Sequence, residues 1–258
     1  MSDAADLTED AFLGGQLRLR QPTRGHRAGH DAILLAAATA ARPGDRVVDL
    51  GAGVGAAGLA LARRVGGLAL TLVERAPDLA GLARDNAHAN DLQADVAVLD
   101  VAADAAAFAA AGLGPDSVDV VLMNPPFHDA VRHRASPDQA RATAHMATGT
   151  TLETWTHAAR RMLKSGGALT LIWRADGLSE VLAALARGFG SLVLQPVHGQ
   201  AGKPAIRILV RAVKGGRAPT QILASVVLNE AAGVPNEDAR RVLEGKGELA
   251  LSWPWPAP

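Results

Sequence analysis

Cysteine is missing from all 258 residues, so neither a disulfide nor a thiolate-bound metal can brace this chain. That absence fits a reducing, cytoplasmic setting. No apolar run approaches the roughly 20 residues that span a bilayer. The first residues, MSDAADLTEDAF, are acidic where a secretory signal would be apolar, so no membrane partner is expected. The eight histidines are scattered, with no H-E-x-x-H or comparable cluster, and no metal is expected either. Excess charge of one sign is absent too: 26 Lys and Arg balance 26 Asp and Glu.

The charges are nonetheless segregated. Between Asp85 and Val131 there is no Lys or Arg but there are eight aspartates. From Val181 to Asn229 there is no acid, while Arg187, Lys203, Arg207, Arg211, Lys214 and Arg217 are basic. The segment RLRQPTRGHRAGH adds Arg18, Arg20, Arg24 and Arg27. Such stretches either scatter over a solvated surface or converge on one face to hold a polyanion.

The middle of the chain alternates short β-rich runs with longer helical ones. RVVDLG (46–51), LALTLVE (68–74), DVAVLD (95–100), VDVVLMN (118–124) and ALTLIW (168–173) read as strands. LVLQPV (192–197) and AIRILVRAV (205–213) read as a closing strand pair. Helices are expected over 54–65, from Pro77 through DLAGLARDNAHAN, over 152–164 up to Gly166-Gly167, and over 177–189. The strands are continuous apolar runs, as expected when helices cover both faces of a parallel sheet. The pattern predicts a doubly wound α/β fold with a mostly parallel sheet and an antiparallel closing strand. A hairpin (12–22) and a helix (29–42) would form a small N-terminal extension, 1–45, on a catalytic domain, 46–229. A short helix (235–246) and the extended tail WPWPAP would complete 230–258.

VVDLGAGVGAAG (47–58) joins the first of these strands to its helix, where glycines permit a tight turn and let a ligand approach a helix N-terminus. Gly53, Gly55 and Gly58 spell the dinucleotide pattern G-x-G-x-x-G, with Glu74 about 20 residues on. Gly51, Gly53 and Gly55 spell G-x-G-x-G instead. Asp49 argues against a pyrophosphate, which its carboxylate would oppose, and suits an amino group. Asp100, ending the third strand, sits where an adenine amino group would lie if a nucleoside ran along the strand tips.

The fourth strand ends in Asn124-Pro125-Pro126-Phe127. Two prolines cannot continue a sheet and fix the chain direction. The Asn124 side-chain oxygen and the Pro125 carbonyl would accept the two N–H bonds of a planar amine, favouring a pyramidal nitrogen whose lone pair can attack. Phe127 offers a face on which a flipped base would stack, worth about 1–3 kcal/mol.

These features together resemble the class I S-adenosylmethionine-dependent methyltransferases. The resemblance implies S-adenosylmethionine as cofactor, with Asp49 and Gly51, Gly53 and Gly55 at its methionine end, Glu74 at the ribose and Asp100 at the adenine. Asp31 either lines the same pocket or caps its helix. The NPPF element resembles the (N/D)PP(Y/F/W) motif of amino methyltransferases, which act on adenine N6, guanine N2, cytosine N4 or glutamine amide. In order, GHRAGHDAILLAAA, the glycine loop, NPPFHD, SPDQARATAHM (136–146) and GKPAIRILVRAVKGGRAP (202–219) resemble the bacterial tRNA(Val) adenine-N6 methyltransferase family. Met146 departs from it, standing where an acid is expected. The alternatives are a ribosomal-RNA guanine-N2 methyltransferase and a release-factor glutamine methyltransferase. Both are expected to carry a further N-terminal domain, not expected in the 48 residues ahead of Asp49. A non-catalytic RNA-binding relic is disfavoured because Asp49, Glu74, Asp100 and Asn124 are intact. An RNA substrate, with tRNA preferred, would be gripped by Arg18, Arg20, Arg24, Arg27, Arg132, Arg134, Lys203, Arg207 and Lys214.

Overall fold

A computed structural model describes residues 6–24, 27–126, 151–231 and 233–252. Its centre is a sheet in which β3 (Arg46–Leu50), β4 (Ala69–Glu74), β5 (Asp95–Val98), β6 (Val118–Met123) and β7 (Leu163–Arg174) run parallel. β9 (Ala205–Lys214) lies antiparallel to both β7 and β8 (Phe189–His198). The strand order is β10-β8-β9-β7-β6-β3-β4-β5, where β10 is Gln221–Ile222; β11 (Val226–Val227) also pairs with β8. The parallel strands and their antiparallel partner follow the expectation from sequence.

Alternation along each strand feeds two helical layers. In β3, Val47 joins the core under α1 (His30–Ala38), α2 (Ala56–Arg64) and α3 (Pro77–Ala89), and Val48 and Leu50 join the other. That second core is closed by Phe108 on α4 (Ala105–Ala110), by Ala158, Ala159 and Met162 on the α5 helix (residues 151–162), and by Val181 and Leu185 on α6 (Leu178–Leu185). With both faces covered, the strands bury continuous apolar runs.

The N-terminal hairpin pairs β1 (Leu7–Phe12) with β2 (Leu17–Pro22), beginning five residues earlier than expected because acidic LTEDAF alternates in and out like its partner. Leu17 and Leu19 are fully buried, and Arg18 and Arg20 point outward. Two amides, Asn86 on α3 and Asn90 at its C-cap, hold this strand. Asn90 accepts from Arg18 N (2.9 Å) and donates to Arg18 O (2.7 Å); Asn86 does the same for Arg20 (2.8 and 3.0 Å). Spaced four apart on one helix face, the two amides take the place of a neighbouring strand. Asn86 Nδ2 also donates to Val54 O, fastening hairpin and helix to the glycine loop.

Several boundaries differ from those expected. α1 stops at Ala38, not at 42: Arg64 donates to the carbonyls of Ala36 (3.0 Å) and Thr39, and Pro43 disfavours helix at Arg42. The helix at 151–162 passes straight into β7, so Gly166-Gly167 does not close it. Val118 pairs with Leu163 and Val120 with Ala168, leaving Gly166 (φ +79) inside a bulge. α4, capped by Asp104 on Ala107 N, and the short β12 (Asn229–Ala231) and β13 (Val234–Pro235) were not anticipated. α7 is Glu237–Leu243, shorter than expected because Asn236 caps it and Pro235 belongs to β13. Phe127, Arg132, Arg134, the 136–146 motif with Met146, and the tail WPWPAP lie outside the described residues.

Candidate active site

The chain enters the sheet at β3, then adds β4 and β5 on one side and β6 and β7 on the other. That reversal opens a crevice beyond the carboxyl ends of β3 and β6, where Leu50 and Met123 lie side by side. A cleft of about 290 Å³ occupies it, and Asp31, Asp49, Gly51, Gly53 and Asn124 all line it. Arg27 and His30 also face it.

Asp49 is 2% exposed, and its Oδ2 accepts from Gly58 N at 2.7 Å. Burial pushes its carboxyl up to about 7; the Gly58 bond works against this, and the nearby Glu74 charge adds to it. Gly58 makes the contact feasible: a Cβ there would meet Leu72 Cδ2 at 2.6 Å and Asp49 Cβ at 3.0 Å. Glu74, also buried, accepts Gly53 N with Oε2 (2.9 Å) and Ala76 N with Oε1 (2.8 Å). It therefore clamps the glycine loop to the end of β4, and each oxygen keeps a further acceptor site.

Asp100 is placed differently. It follows Leu99, whose N–H bonds Glu74 O at 3.1 Å, and stands exposed outside the cleft wall. Its Oδ1 accepts Ala102 N (2.8 Å), and Arg75 lies 3.8 Å from Oδ2. Asp31, in the first turn of α1, is paired with Arg207 of β9 at 2.8 Å across the rim of the cleft. It caps nothing.

At the end of β6, Asn124 Oδ1 is buried and has no hydrogen-bond partner among the described residues. A buried, unpaired amide oxygen costs about 1–3 kcal/mol, and here it belongs to a residue lining the cleft. Pro125 beside it is buried.

The basic residues do not all share this end of the sheet. Lys203 lies in the β8–β9 turn at the same end as Asn124, exposed, with its carbonyl 2.6 Å from His198 Nδ1. Arg27 pairs with Asp10 (2.5 Å) and Arg18 with Glu9 (3.2 Å), while Arg20 and Arg24 are exposed. Lys214 does not belong with them: it bonds Asp116 Oδ1 (2.8 Å) and Leu163 O (2.6 Å) at the amino ends of β6 and β7, the opposite edge of the sheet. Antiparallel β9 carries Arg207 and Lys214 to opposite ends, and Arg211 between them is buried.

Trp155 on α5 was not singled out from the sequence, where a tryptophan in an amphipathic helix reads as core. The far end of its ring lies against the start of the glycine loop. Gly51 has φ +77, and a Cβ there would fall 2.1 Å from Trp155 Cη2. Among the described residues, no helix is long and apolar enough to cross a membrane, and no His, Asp and Glu group could hold a metal.

Comparison with known proteins agrees with this geometry. The methyltransferase small domain model matches residues 29–195. A tRNA1(Val) (adenine(37)-N6)-methyltransferase of Aeromonas hydrophila subsp. hydrophila is 29% identical over 191 residues, 73% of this chain and 77% of that protein. The crystal structure of a predicted O-methyltransferase from Agrobacterium tumefaciens is 32% identical with TM-score 0.70, covering 85% of this chain and 98% of its own. A T. thermophilus 16S rRNA N2 methyltransferase, solved with AdoMet and guanosine, shares the fold at 21% identity and TM-score 0.53, over 81% of this chain and 50% of its own. A family match over more than half the chain, on a sheet whose switch point gathers two buried acids and an unpaired amide, makes this chain a member of the methyltransferase small domain family and an S-adenosylmethionine-dependent methyltransferase.

Proposed function

We propose that the chain methylates the exocyclic N6 amine of an adenine in tRNA. The observation that carries this reading is the buried Asn124 oxygen, an acceptor without a donor among the described residues, at the wall of the cleft. A planar amine supplies that donor. Its second N–H would fall to the Pro125 carbonyl, whose direction the Pro125-Pro126 pair restricts. A hydroxyl acceptor fits less well, because it must lose its proton and a neutral amide oxygen is no base. Adenine in tRNA is preferred over guanine or glutamine from the SPDQARATAHM and GKPAIRIL segments and from the likeness to the Aeromonas relative.

The residues of the cleft and its surroundings suit the cofactor. Asp49 with Gly51 and Gly53 in the cleft, and Gly55 behind them, would hold its methionine end, Glu74 at the end of β4 the ribose hydroxyls through its remaining acceptor sites, and Asp100, exposed beyond the cleft wall, the adenine. S-adenosylmethionine supplies a methyl group on a positively charged sulfur. The protein contributes position: Asn124 holds the amine and Glu74 fixes the loop. Phe127 would stack the base, and Arg18, Arg20, Arg24, Arg27, Arg132, Arg134, Lys203 and Arg207 would meet phosphates. Transfer of labelled methyl into unmodified tRNA, ribosomal RNA and release factor in parallel tests this. N6-methyladenosine in tRNA is expected; label confined to guanine or glutamine would overturn the acceptor and keep the amine chemistry.

Trp155 gives a second expected result. Trp155→Ala should raise the KM for S-adenosylmethionine roughly tenfold, about 1.4 kcal/mol of lost loop support, with kcat changed much less. Trp155→Phe should recover most of it. Equal losses in kcat and KM with no rescue by Phe would mean that the ring only packs the core.

A further inference from the structure

A groove of about 560 Å³ separates α5 from α6. Its floor is Ala183 and Ala184, and its walls carry His157, Arg160 and Arg187. Small residues on α6 leave the space, and Thr156 Oγ1 reaches Ala184 O (3.4 Å) beneath it. The Arg160 arm is held in place. A Cβ on Gly188 (φ +85) would lie 2.7 Å from Arg160 Cδ, and Arg160 makes long contacts of 3.4 Å to Arg187 O and His157 Nδ1.

Neither guanidinium has a carboxylate within ion-pair distance among the described residues. Arg174 and Arg207, by contrast, are paired with Asp176 and Asp31. Two cations lining one groove without a counter-ion among the described residues repel each other, and an anion between them relieves both. Glu153, the acid in the lining, is seven residues from Arg160, about 10 Å along the helix at 1.5 Å per residue. The lining has no large apolar side chain, so it lacks the anchor that a protein partner would fill. A guanidinium pair fits phosphate oxygens.

We propose that this groove receives the phosphodiester backbone of the acceptor RNA, Arg160 and Arg187 each neutralising a phosphate. The proposal rests on the RNA reading above. Arg160 and Arg187 lie toward the amino end of the sheet, where Phe189 pairs with Lys214. Arg160 is five residues from Trp155, about 7.5 Å along α5, so the RNA strand would run from the cleft down this helix to that end.

The test is binding of fluorescently labelled, unmodified tRNA across a range of salt, for the wild type, Arg160→Gln/Arg187→Gln and Arg160→Glu/Arg187→Glu. Calorimetry of S-adenosylmethionine binding confirms that each variant is folded. The Gln pair should lower the magnitude of the log K against log salt slope by about 1.4, at roughly 0.7 per single-stranded phosphate. The Glu pair should weaken binding further, with cofactor affinity unchanged. Wild-type affinity and slope in the Gln pair would overturn the groove while leaving the RNA reading intact. A wild type that binds tRNA without salt dependence would remove the RNA reading, and the groove with it.

Discussion

Asn124→Ala should abolish methyl transfer, with kcat falling on the order of 10²–10³-fold, the cost of removing one preorganised polar contact at a reacting centre. S-adenosylmethionine affinity should stay within about twofold of wild type, an allowance below 0.5 kcal/mol. The reason lies in the wild-type protein: Asn124 Oδ1 already sits buried with no hydrogen-bond partner among the described residues, so removing it takes no hydrogen bond of that oxygen from the fold. Apo stability should therefore be unchanged or slightly higher, a combination that a structural asparagine would not give. Asn124→Asp keeps an acceptor oxygen in the same place and should retain measurable activity. If Asn124→Ala lost cofactor binding together with turnover, the side chain would belong to the cofactor wall and the amine clamp would be wrong. Single-turnover transfer rates beside calorimetric affinities separate the two.

The second large effect concerns Asp49, whose carboxyl burial raises to about 7. A carboxyl whose pKa is raised by folding holds its proton in the native chain after the unfolded chain has lost it. Its contribution is fully present below the ordinary value of 3.8 and is lost as pH rises through 7. The apo protein should therefore lose stability between about pH 4 and 7, by up to about 4 kcal/mol for a shift of this size at 1.36 kcal/mol per unit. Asp49→Asn still offers Gly58 N an acceptor and carries no charge. It should be more stable than wild type at pH 8 and indistinguishable near pH 4. Cofactor binding should run the other way. A cationic ligand favours the ionised carboxylate, so wild-type affinity should climb from pH 6 to 7.5 while the Asn variant stays flat and weaker. Melting curves at both pH extremes would refute the assignment if the two proteins differed equally at each.

Much of this site was readable because its residues sit at strand ends, where composition changes abruptly. Asp49 and Asn124 end or closely follow apolar runs, and the glycines between 51 and 58 mark a turn that needs them. Asp31 was read as either lining or capping, and its partner, Arg207, lies 176 residues away on the last long strand, a contact no local pattern announces. Lys214 was grouped with Arg207 because both lie on one basic stretch. Seven residues of extended chain, however, separate the two ends of a strand, and sequence nearness cannot reveal which end faces the cleft. Trp155 was legible as helix and core, but not as the ring against Gly51, since that contact depends on how α5 crosses the sheet. Asn86 and Asn90 did carry a local signal: two amides four apart, one a poor helix former inside α3 and the other at its C-cap. It points to a job outside the helix without naming β2 as the partner.

The order in which the ribosome delivers these parts follows from that pair of asparagines. Arg18 must wait for Asn90, which is 72 residues further along the chain. At roughly 5–20 residues per second, that is about 4–14 s of synthesis. During that interval α1 and α2 can begin to cover Leu17 and Leu19, but the free edge of β2 has no amides to pair with, so the first segment made is not fully seated until α3 is complete.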